Sequence, residues 1–339
     1  MFSNNYAVVD KDVWKGRIDS ENNFDAFRWH QMIEFIDLSQ NDLQVFKGKL
    51  GFCIIGFCCD AGIQINKGRF GAANAPHSIR KELANLPCWF NQEVKIFDAG
   101  DILSDNCTLE ESQALLAKAV QKILNLSLFP IVLGGGHEVA FGHYNGILNY
   151  LYQKESKPKI GIINFDAHFD LRPYPNGGSS GTMFRQIADI CSDKELEYSY
   201  MCVGVQKYSN TVDLFKTAKN LGVEYILEKD ISISDEWSLM EKFNNFINSQ
   251  DHIYITICSD VFSSAFAPGV SSPQPLGLDP ETVLKFLKYM FKSNKVVSFD
   301  IAEVAPRFDQ DNTTSNLAKV LIFAVVNTLC QINNLSVHI

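Results

Sequence analysis

The chain has 339 residues, of which 46% are hydrophobic and 20% charged, and its formal net charge is −9. This composition is typical of a globular protein with a large core, and without long acidic or basic blocks it argues against nucleic acid or an anionic membrane as a partner. The polar run at residues 1–5 predicts no secretory signal. The nine cysteines are scattered without metal-type spacing, which favours buried thiols in a reducing cytoplasm.

Apolar runs alternate with helix-like segments along the chain. Thr108 opens a capping-box pattern before one helix, and Asp279-Pro280 begins another. The stretch 317–332 is interpreted as a core helix, too short to span a bilayer. Eight runs predict buried strands, at 51–57, 94–101, 129–136, 159–166, 200–205, 223–227, 253–260 and 295–303. The alternation predicts a single α/β domain over 1–339, built on one mostly parallel sheet with helices on both faces.

Ligands of such a sheet bind where the strands end, and the first chemistry-bearing strand end is at 134–138. Three glycines there precede His137 and Glu138. They either cradle a phosphate or let the backbone bend so that His137 points into a site. The spacing of nucleotide-binding motifs is absent, which favours the second interpretation.

The stretch 166–170, Asp-Ala-His-Phe-Asp, is the most informative in the chain. Because side chains alternate along an extended backbone, Asp166, His168 and Asp170 are expected on one side. Burying them together is costly unless a cation compensates, and these donors suit a divalent metal such as Mn²⁺. The alternative is that the aspartates cap the following turn and His168 is a core histidine.

Two further strands end in polar residues. The same alternation places Cys258 and Asp260 on one side of their strand. Glu303 follows the last strand at the same edge of the sheet, either as a substrate contact or as a surface or helix-cap residue.

These four motifs, in this order, resemble those of the ureohydrolase superfamily of arginase, agmatinase and formimidoylglutamase. They are 134–138, 166–170, 258–260 with the Ala-Pro-Gly at 267–269, and 300–303. The resemblance runs from about residue 68 to about residue 325 and leaves 1–50 as an N-terminal extension. It implies an arginase-like three-layer α/β/α sandwich around an eight-stranded, mostly parallel sheet, and usually a homo-oligomer.

The resemblance also implies two Mn²⁺ ions. One would be held by His137, Asp166, Asp170 and residue 258, and the other by Asp166, His168, residue 258 and Asp260. Such a pair lowers the pKa of a shared water, so that hydroxide attacks the carbon of an amidine or guanidine.

Cys258 departs from the family pattern. The spacing to Pro268 and Pro273 puts it where the first aspartate of Asp-x-Asp belongs. Because a thiolate is softer than a carboxylate, we expect weaker Mn²⁺ binding and relatively stronger Zn²⁺ or Fe²⁺ binding. Three possibilities remain open: a thiolate that bridges both metals, a thiol beside a single metal, and an inert thiol in a disabled site.

The loop after the second motif separates the family members. Arginases carry a histidine where this chain has Phe184, which argues against arginase. The run 180–187 is instead similar to formimidoylglutamases, as is the N-terminal Trp-Lys-Gly-Arg-Ile-Asp at 14–19.

For N-formimidoyl-L-glutamate, the resemblance implies that Glu303 holds the amidinium group and that Asp170 accepts a hydrogen bond from the attacking hydroxide. Arg172 stands where arginases bind the substrate's carboxylate. Ser180 and Arg185 are further substrate-binding candidates, and Arg307 is a weaker one; each arginine could instead be a surface residue.

Three hypotheses follow. The first is a cytoplasmic formimidoylglutamase of histidine degradation that converts its substrate to glutamate and formamide. The second is another ureohydrolase, such as an agmatinase or a guanidino-acid hydrolase. The third is a metal-deficient protein of the same fold with a non-catalytic role.

Overall fold

The computed structural model describes residues 5–337, apart from the side chain of Ser232. The strands are β1 (Tyr6–Ala7), β2 (Ile33–Phe35), β3 (Leu50–Cys58), β4 (Val94–Leu103), β5 (Phe129–Leu133), β6 (Ile160–Phe165), β7 (Ser199–Val205), β8 (Glu224–Leu227), β9 (His252–Cys258) and β10 (Val296–Ala302). The α-helices are α1 (Ala61–Ile65), α2 (Ala75–Leu83), α3 (Leu109–Asn125), α4 (Val139–Leu151), α5 (Met183–Asp193), α6 (Val212–Asn220), α7 (Glu228–Ile233), α8 (Glu236–Asn248), α9 (Pro280–Phe291) and α10 (Thr313–Ile332).

The strands form one sheet in the order β1-β4-β3-β5-β10-β9-β6-β7-β8, with β2 also paired to β4. Every pair is parallel except β1 with β4. All eight predicted strands are present, and the predicted α/β class is confirmed. The sequence did not predict β1 and β2, which have two and three residues and are too short to show a pattern. They place part of the 1–50 segment against the β4 edge.

Helices cover both faces of the sheet, which explains why the strands are apolar without alternation. In β3, Phe52 and Ile54 belong to a core cluster that includes side chains of α2, α9 and α10. The intervening Cys53 and Ile55 belong to a second cluster with α3, α4 and α5. Each buried aliphatic or aromatic side chain contributes about 1.5–3 kcal/mol, so the two clusters hold the three layers together.

Helix ends follow the sequence signals. Thr108 Oγ1 accepts the Glu111 N–H (3.2 Å) while Glu111 Oε2 accepts the Thr108 N–H (2.8 Å). Asp279 Oδ1 accepts the Glu281 N–H (2.8 Å) and Pro280 opens α9. Both predicted helices are confirmed.

The last helix, α10, has 20 residues and is long and apolar enough to cross a membrane by length and composition. The helix begins at Thr313, four residues before the predicted 317–332 stretch, and half of its apolar window is buried inside the protein. The helix packs against α2 and α9. Its Leu321, Ile322 and Val325 belong to the first core cluster, as predicted for a core helix.

A buried aspartate of β4 joins an arginine of α2 to a tryptophan of the N-terminal segment. The Arg80 guanidinium donates to both carboxylate oxygens of Asp98 (2.7 and 3.0 Å) and to Asp101 Oδ1 (2.6 Å). Trp14 Nε1 donates to the same Asp98 (2.7 Å). Because Arg80 is 1% and Asp98 0% exposed, neither charge has water as an alternative partner.

Four neighbouring strands, β5, β10, β9 and β6, bring the sequence motifs to one edge of the sheet. Ile301 lies opposite Leu133, Ala302 opposite Cys258, and Phe165 opposite Ile257. The residues that follow these positions therefore begin at the same level, although more than 160 residues separate the first motif from the last.

Candidate metal centre and active site

A cavity of about 310 Å³ opens at the carboxyl ends of these four strands. Its floor is acidic and histidine-rich, formed by His137, His168, Asp170, Cys258, Asp260 and Glu303. Its rim is formed by Asn66, Lys67, Gly68, Arg69, Arg172, Ser180, Ser271 and Ser272. Asp166 lies beneath the floor with no exposed surface.

Asp166 lies between two histidines. Its Oδ2 is 3.0 Å from His137 Nδ1, and its Oδ1 is 3.3 Å from His168 Nδ1. Asp170 Oδ2 approaches His137 Nδ1 from another side (3.1 Å), and Asp260 Oδ2 approaches His168 Nδ1 (3.2 Å). The structure thus brings all five of these predicted ligands together.

Two groups of side chains could each hold a metal ion. One is His137, Asp166 and Cys258, the other is Asp166, His168 and Asp260, and within each group the ligand atoms lie within 4.8 Å of one another. Within residues 5–337, Asp260 Oδ1 is buried without a hydrogen-bond partner, which calls for an explanation. Carboxylate, imidazole and thiol donors fit divalent cations, and Asp166 would serve both positions.

The expectation that 166–170 is extended, with side chains alternating between its two sides, is wrong. Strand β6 ends at Phe165, and Asp170 has a φ of 50°, so 166–170 is not extended. The loop is shaped by hydrogen bonds: Asn210 Oδ1 accepts the Phe169 N–H (3.0 Å) and Asn210 Nδ2 donates to Ala167 O (2.8 Å). Asp260 likewise lies in a 3₁₀ turn, Ser259–Val261, rather than in β9.

Burial and mutual repulsion dominate the electrostatics of the floor. Burial, reinforced by Glu138 and Asp260, holds the pKa of Glu303 well above its ordinary value. Burial and the neighbouring Asp166 raise the pKa of Asp170 to about 6. For Asp166, burial acts in the same direction, but hydrogen bonds from His137 and His168 outweigh it and lower the pKa. A cation among these groups favours their ionised forms, so the floor is suited to bind positive charge.

The glycine-rich turn bends the backbone as the second interpretation requires. A Cβ atom on Gly135 would lie 1.9 Å from Cys59 O, so only glycine fits. Gly135 O accepts the Glu303 N–H (2.8 Å), and Glu303 Oε1 accepts the His137 N–H (2.9 Å). Glu303 has a φ of 64°, a conformation that costs a non-glycine residue about 1–3 kcal/mol and that occurs preferentially at functional sites.

A buried hydrogen-bond chain orients His137 from behind. Its Nε2 lies 3.1 Å from Thr256 Oγ1, and that hydroxyl donates to Asp300 Oδ1 (2.6 Å). Asp300 Oδ2 in turn lies 2.6 Å from His143 Nδ1. Because the Thr256 hydroxyl proton is committed to Asp300, its oxygen accepts the Nε2 proton. His137 Nδ1, which faces Asp166 and Asp170, is left as the metal-binding atom.

Replacing Thr256 with valine is therefore expected to weaken metal binding by about 10- to 100-fold, the usual effect of losing a hydrogen bond behind a metal-binding histidine. Valine preserves the shape of threonine but removes the acceptor for Nε2. Thr256→Ser keeps the hydroxyl and is the matched control. Calorimetric titration of the metal-free protein with Mn²⁺ measures the effect, and equal affinities for the two variants would contradict it.

Two positively charged side chains on the rim are available to bind a ligand. Lys67 and Arg172 are exposed, and within residues 5–337 neither side chain has a hydrogen bond or ion pair. Arg69 is occupied, since its guanidinium donates to Val270 O (2.6 Å) and Ser271 O (3.0 Å) and lies over the Phe308 ring (4.2 Å). Lys67 has a φ of 62°, so it too is held in a strained conformation.

Of the other predicted substrate contacts, one lines the cavity and two lie outside it. Ser180 lines the cavity, and its Oγ accepts a hydrogen bond from Asn66 Nδ2 (3.3 Å). Arg185 does not line it and lies 3.9 Å from Asp189 on the same helix. Arg307 is also outside the lining and stacks over the Phe70 ring (4.8 Å).

Sequence reasoning missed part of the site. Lys67 and Asn66 follow β3 and α1. Ligands bind at the carboxyl ends of parallel strands, and the same expectation applied to β3 would have pointed to these two residues. Thr256 and Asn210 act behind the ligands, and no sequence signal identified them. Phe184, which stands where arginases have a histidine, is fully buried and contacts the His137 ring edge-on (centroids 5.6 Å apart).

Comparison with known proteins agrees with this geometry. The arginase family profile matches residues 50–327, and the chain belongs to the arginase family. It is 62% identical to the formimidoylglutamase of Clostridium tetani over 99% of both chains. It is 42% identical to that of a Geobacillus species over 92% of this chain and 93% of the relative.

Solved structures share the fold. The formimidoylglutamase of Bacillus subtilis superposes with a TM-score of 0.78 at 22% identity, over 92% of this chain and 94% of the other. The formiminoglutamase of Trypanosoma cruzi, crystallised with Mn²⁺, gives 0.74 at 24% identity, over 83% and 94%. The expected arginase-like sandwich is therefore confirmed.

Proposed function

We propose that the protein hydrolyses N-formimidoyl-L-glutamate to L-glutamate and formamide. The observation that carries this proposal is the polarity of one cavity, with carboxylates on its floor and the unpaired cations Lys67 and Arg172 on its rim. The substrate has the complementary polarity, with a cationic amidine at one end and two carboxylates at the other. The high identity to curated formimidoylglutamases supports the same reaction.

The floor residues fall into two roles. His137, Asp166, Asp170, His168, Cys258 and Asp260 would hold two divalent cations, which we take to be Mn²⁺ at least in part, as in the Trypanosoma cruzi formiminoglutamase crystal. When bound, such a pair supplies a water acidic enough to ionise near neutral pH. Asp170, on the cavity floor, accepts a hydrogen bond from the attacking oxygen and orients it toward the amidine carbon.

Glu303 and the rim position the substrate. The Glu303 carboxylate, anchored by the His137 N–H, binds the amidinium and holds its carbon at the floor. Arg172 and Lys67 bind the carboxylates, and Ser180 adds a hydroxyl. Water's oxygen joins the amidine carbon, the bond from that carbon to the glutamate nitrogen breaks, and a proton goes to that nitrogen. The products are formamide and glutamate.

Two other functions fit less well. Agmatine has an amine where glutamate has carboxylates, so Lys67 and Arg172 would repel it. A guanidino acid has the right polarity but only one carboxylate, so it would engage one of these two cations instead of both. A metal-deficient role conflicts with the six clustered donors. A substrate panel on manganese-loaded protein tests the proposal: N-formimidoyl-L-glutamate should be the preferred substrate, and faster hydrolysis of agmatine or arginine would contradict it. An inactive protein that binds no metal would support the non-catalytic role.

Arg172→Met should lower kcat/KM for N-formimidoyl-L-glutamate by about 10- to 100-fold, since a hydrogen bond to a charged group contributes about 1.5–3 kcal/mol. The loss should fall mainly on KM, because the contact is made equally in the ground and transition states. Arg185→Met removes an arginine from outside the cavity and is the control. Steady-state kinetics of the two variants decide, and an equal effect would contradict the assignment of Arg172.

The cellular setting is a further part of the proposal. We propose that the enzyme acts in histidine degradation, in the cytoplasm, with a small amidine rather than nucleic acid or membrane as its partner. We expect a homo-oligomer, as is usual in this superfamily. Sedimentation of the purified protein tests that expectation.

A further inference from the structure

The two candidate metal positions differ in chemistry. His137, Asp166 and Cys258 offer nitrogen, oxygen and sulfur, whereas Asp166, His168 and Asp260 offer only nitrogen and oxygen. Cys258 is a member of the first group alone. The family pattern instead implies a residue at 258 that serves both cations, so in this chain the thiol distinguishes one position from the other.

The thiol is held in place by the sheet. Cys258 is the last residue of β9 and pairs with Ala302 of β10, while the preceding Ile257 pairs with Phe165 of β6. The side chain is 2% exposed and lines the cavity floor. The strand pairing therefore fixes the backbone from which the side chain reaches the cavity floor.

The environment of Cys258 is unlike that of the other buried cysteines. Within residues 5–337, seven cysteines are buried. Six of them belong to the two apolar core clusters, namely Cys53, Cys59, Cys88, Cys191, Cys202 and Cys330, and only Cys258 does not. An inert structural thiol is expected in an apolar setting. Cys258 lies instead on the polar cavity floor, with its sulfur within 4.8 Å of a ligand atom of His137 and of Asp166.

Ligand softness then separates the two positions. Thiolate favours Zn²⁺, Co²⁺ and Fe²⁺ over Mn²⁺, whereas carboxylate oxygen favours Mn²⁺. We propose that the protein binds two unlike cations, a thiophilic divalent ion at His137, Asp166 and Cys258, and Mn²⁺ at Asp166, His168 and Asp260. This inference rests on the metal centre of the proposed function, and binding at the first position releases the thiol proton to solvent.

The test is spectroscopic and independent of activity. Metal-free full-length protein is titrated with Co²⁺, which gives a near-ultraviolet charge-transfer band only when a thiolate is bound. We expect the band to saturate at one cobalt per chain and to vanish in Cys258→Asp and Cys258→Ser. Cys330→Ala, which removes a buried thiol of the apolar core, should keep it.

A competition measurement completes the test. Cys258→Asp should raise Mn²⁺ affinity at one of the two positions by about tenfold or more, since even indirect changes around metal ligands reach that size. Addition of limiting Zn²⁺ to protein loaded with two Mn²⁺ should displace one Mn²⁺ per chain before the other in wild type, and this preference should be lost in Cys258→Asp. If Cys258→Asp does not fold, the charge-transfer band and the metal content of the wild-type protein still test the proposal.

The proposal is overturned if wild type binds cobalt without the band, if the band survives in Cys258→Asp, or if limiting Zn²⁺ displaces Mn²⁺ from the two positions of wild type equally. These outcomes are separate from the proposed function. Wild type that hydrolyses N-formimidoyl-L-glutamate without a thiolate band overturns this inference alone. A band at one cobalt per chain without hydrolysis under any metal overturns the function alone.

Discussion

Glu303→Gln is expected to lower kcat/KM for N-formimidoyl-L-glutamate by about 30-fold to several thousand-fold. Removing one charge of a buried, hydrogen-bonded pair costs about 2–5 kcal/mol. Each 1.36 kcal/mol is about tenfold in rate. Glu303 is 5% exposed on the cavity floor, so its partner, the substrate amidinium, is withdrawn from water when it binds.

Glutamine removes the negative charge at this position and changes little else. Its carbonyl oxygen can still accept the His137 N–H that Glu303 Oε1 accepts now (2.9 Å), so the turn is preserved. Glu303 is in neither metal-binding group, so metal content should not fall. The variant therefore isolates the charge.

A neighbouring carboxyl group provides the control. Glu138 is also buried, and its Oε1 accepts the Gly62 N–H (2.8 Å), but it does not line the cavity. Glu138→Gln should affect kcat/KM much less. Steady-state kinetics and metal analysis of Glu303→Gln and Glu138→Gln make the comparison. An unchanged kcat/KM in Glu303→Gln, or a loss of metal that accounts for the lost activity, would contradict the role given to Glu303.

Arg80→Met is expected to destabilise the protein by about 3–5 kcal/mol, the usual effect of breaking a buried ion pair and leaving its partners uncompensated. Asp98 loses two hydrogen bonds and Asp101 one. Since a domain is stable by about 5–15 kcal/mol in total, this is a large fraction. Urea unfolding followed by circular dichroism measures the change.

An exposed ion pair is the matched comparison. Lys157 lies 3.3 Å from Glu195, with both side chains largely exposed, and such pairs contribute about 0–1 kcal/mol. Lys157→Met should leave the unfolding midpoint nearly unchanged. Equal shifts for the two variants would show that the buried Arg80 ion pairs with Asp98 and Asp101 do not stabilise the fold as described.

Most of the sheet could be predicted because its central strands are buried on both faces. Runs such as 51–57 and 253–258 are therefore largely apolar, and the loops between them are polar. The strand-end rule then located His137, Asp166 and Glu303 at one edge. It succeeded because β5, β10, β9 and β6 are neighbours in space, which is a property of parallel topology rather than of sequence distance.

The remainder depends on tertiary contacts that leave no local pattern. The 166–170 loop is shaped by Asn210, about 40 residues away in the chain, so side-chain alternation gave the right residues for the wrong reason. Lys67 reaches the rim because its loop folds over the strand ends. A local resemblance predicted that Arg185 contacts the substrate. In the structure its side chain lies outside the cavity lining, 3.9 Å from Asp189 on the same helix.

The most direct test of the proposed function is the fate of water's oxygen. Metal-loaded protein is incubated with N-formimidoyl-L-glutamate in oxygen-18-labelled water, and the products are analysed by mass spectrometry. We predict formamide carrying the label and unlabelled glutamate in equal amounts, with no turnover after the metal is removed by a chelator. Ammonia with labelled N-formylglutamate, or turnover that persists without metal, would contradict metal-dependent cleavage of the bond to the glutamate nitrogen.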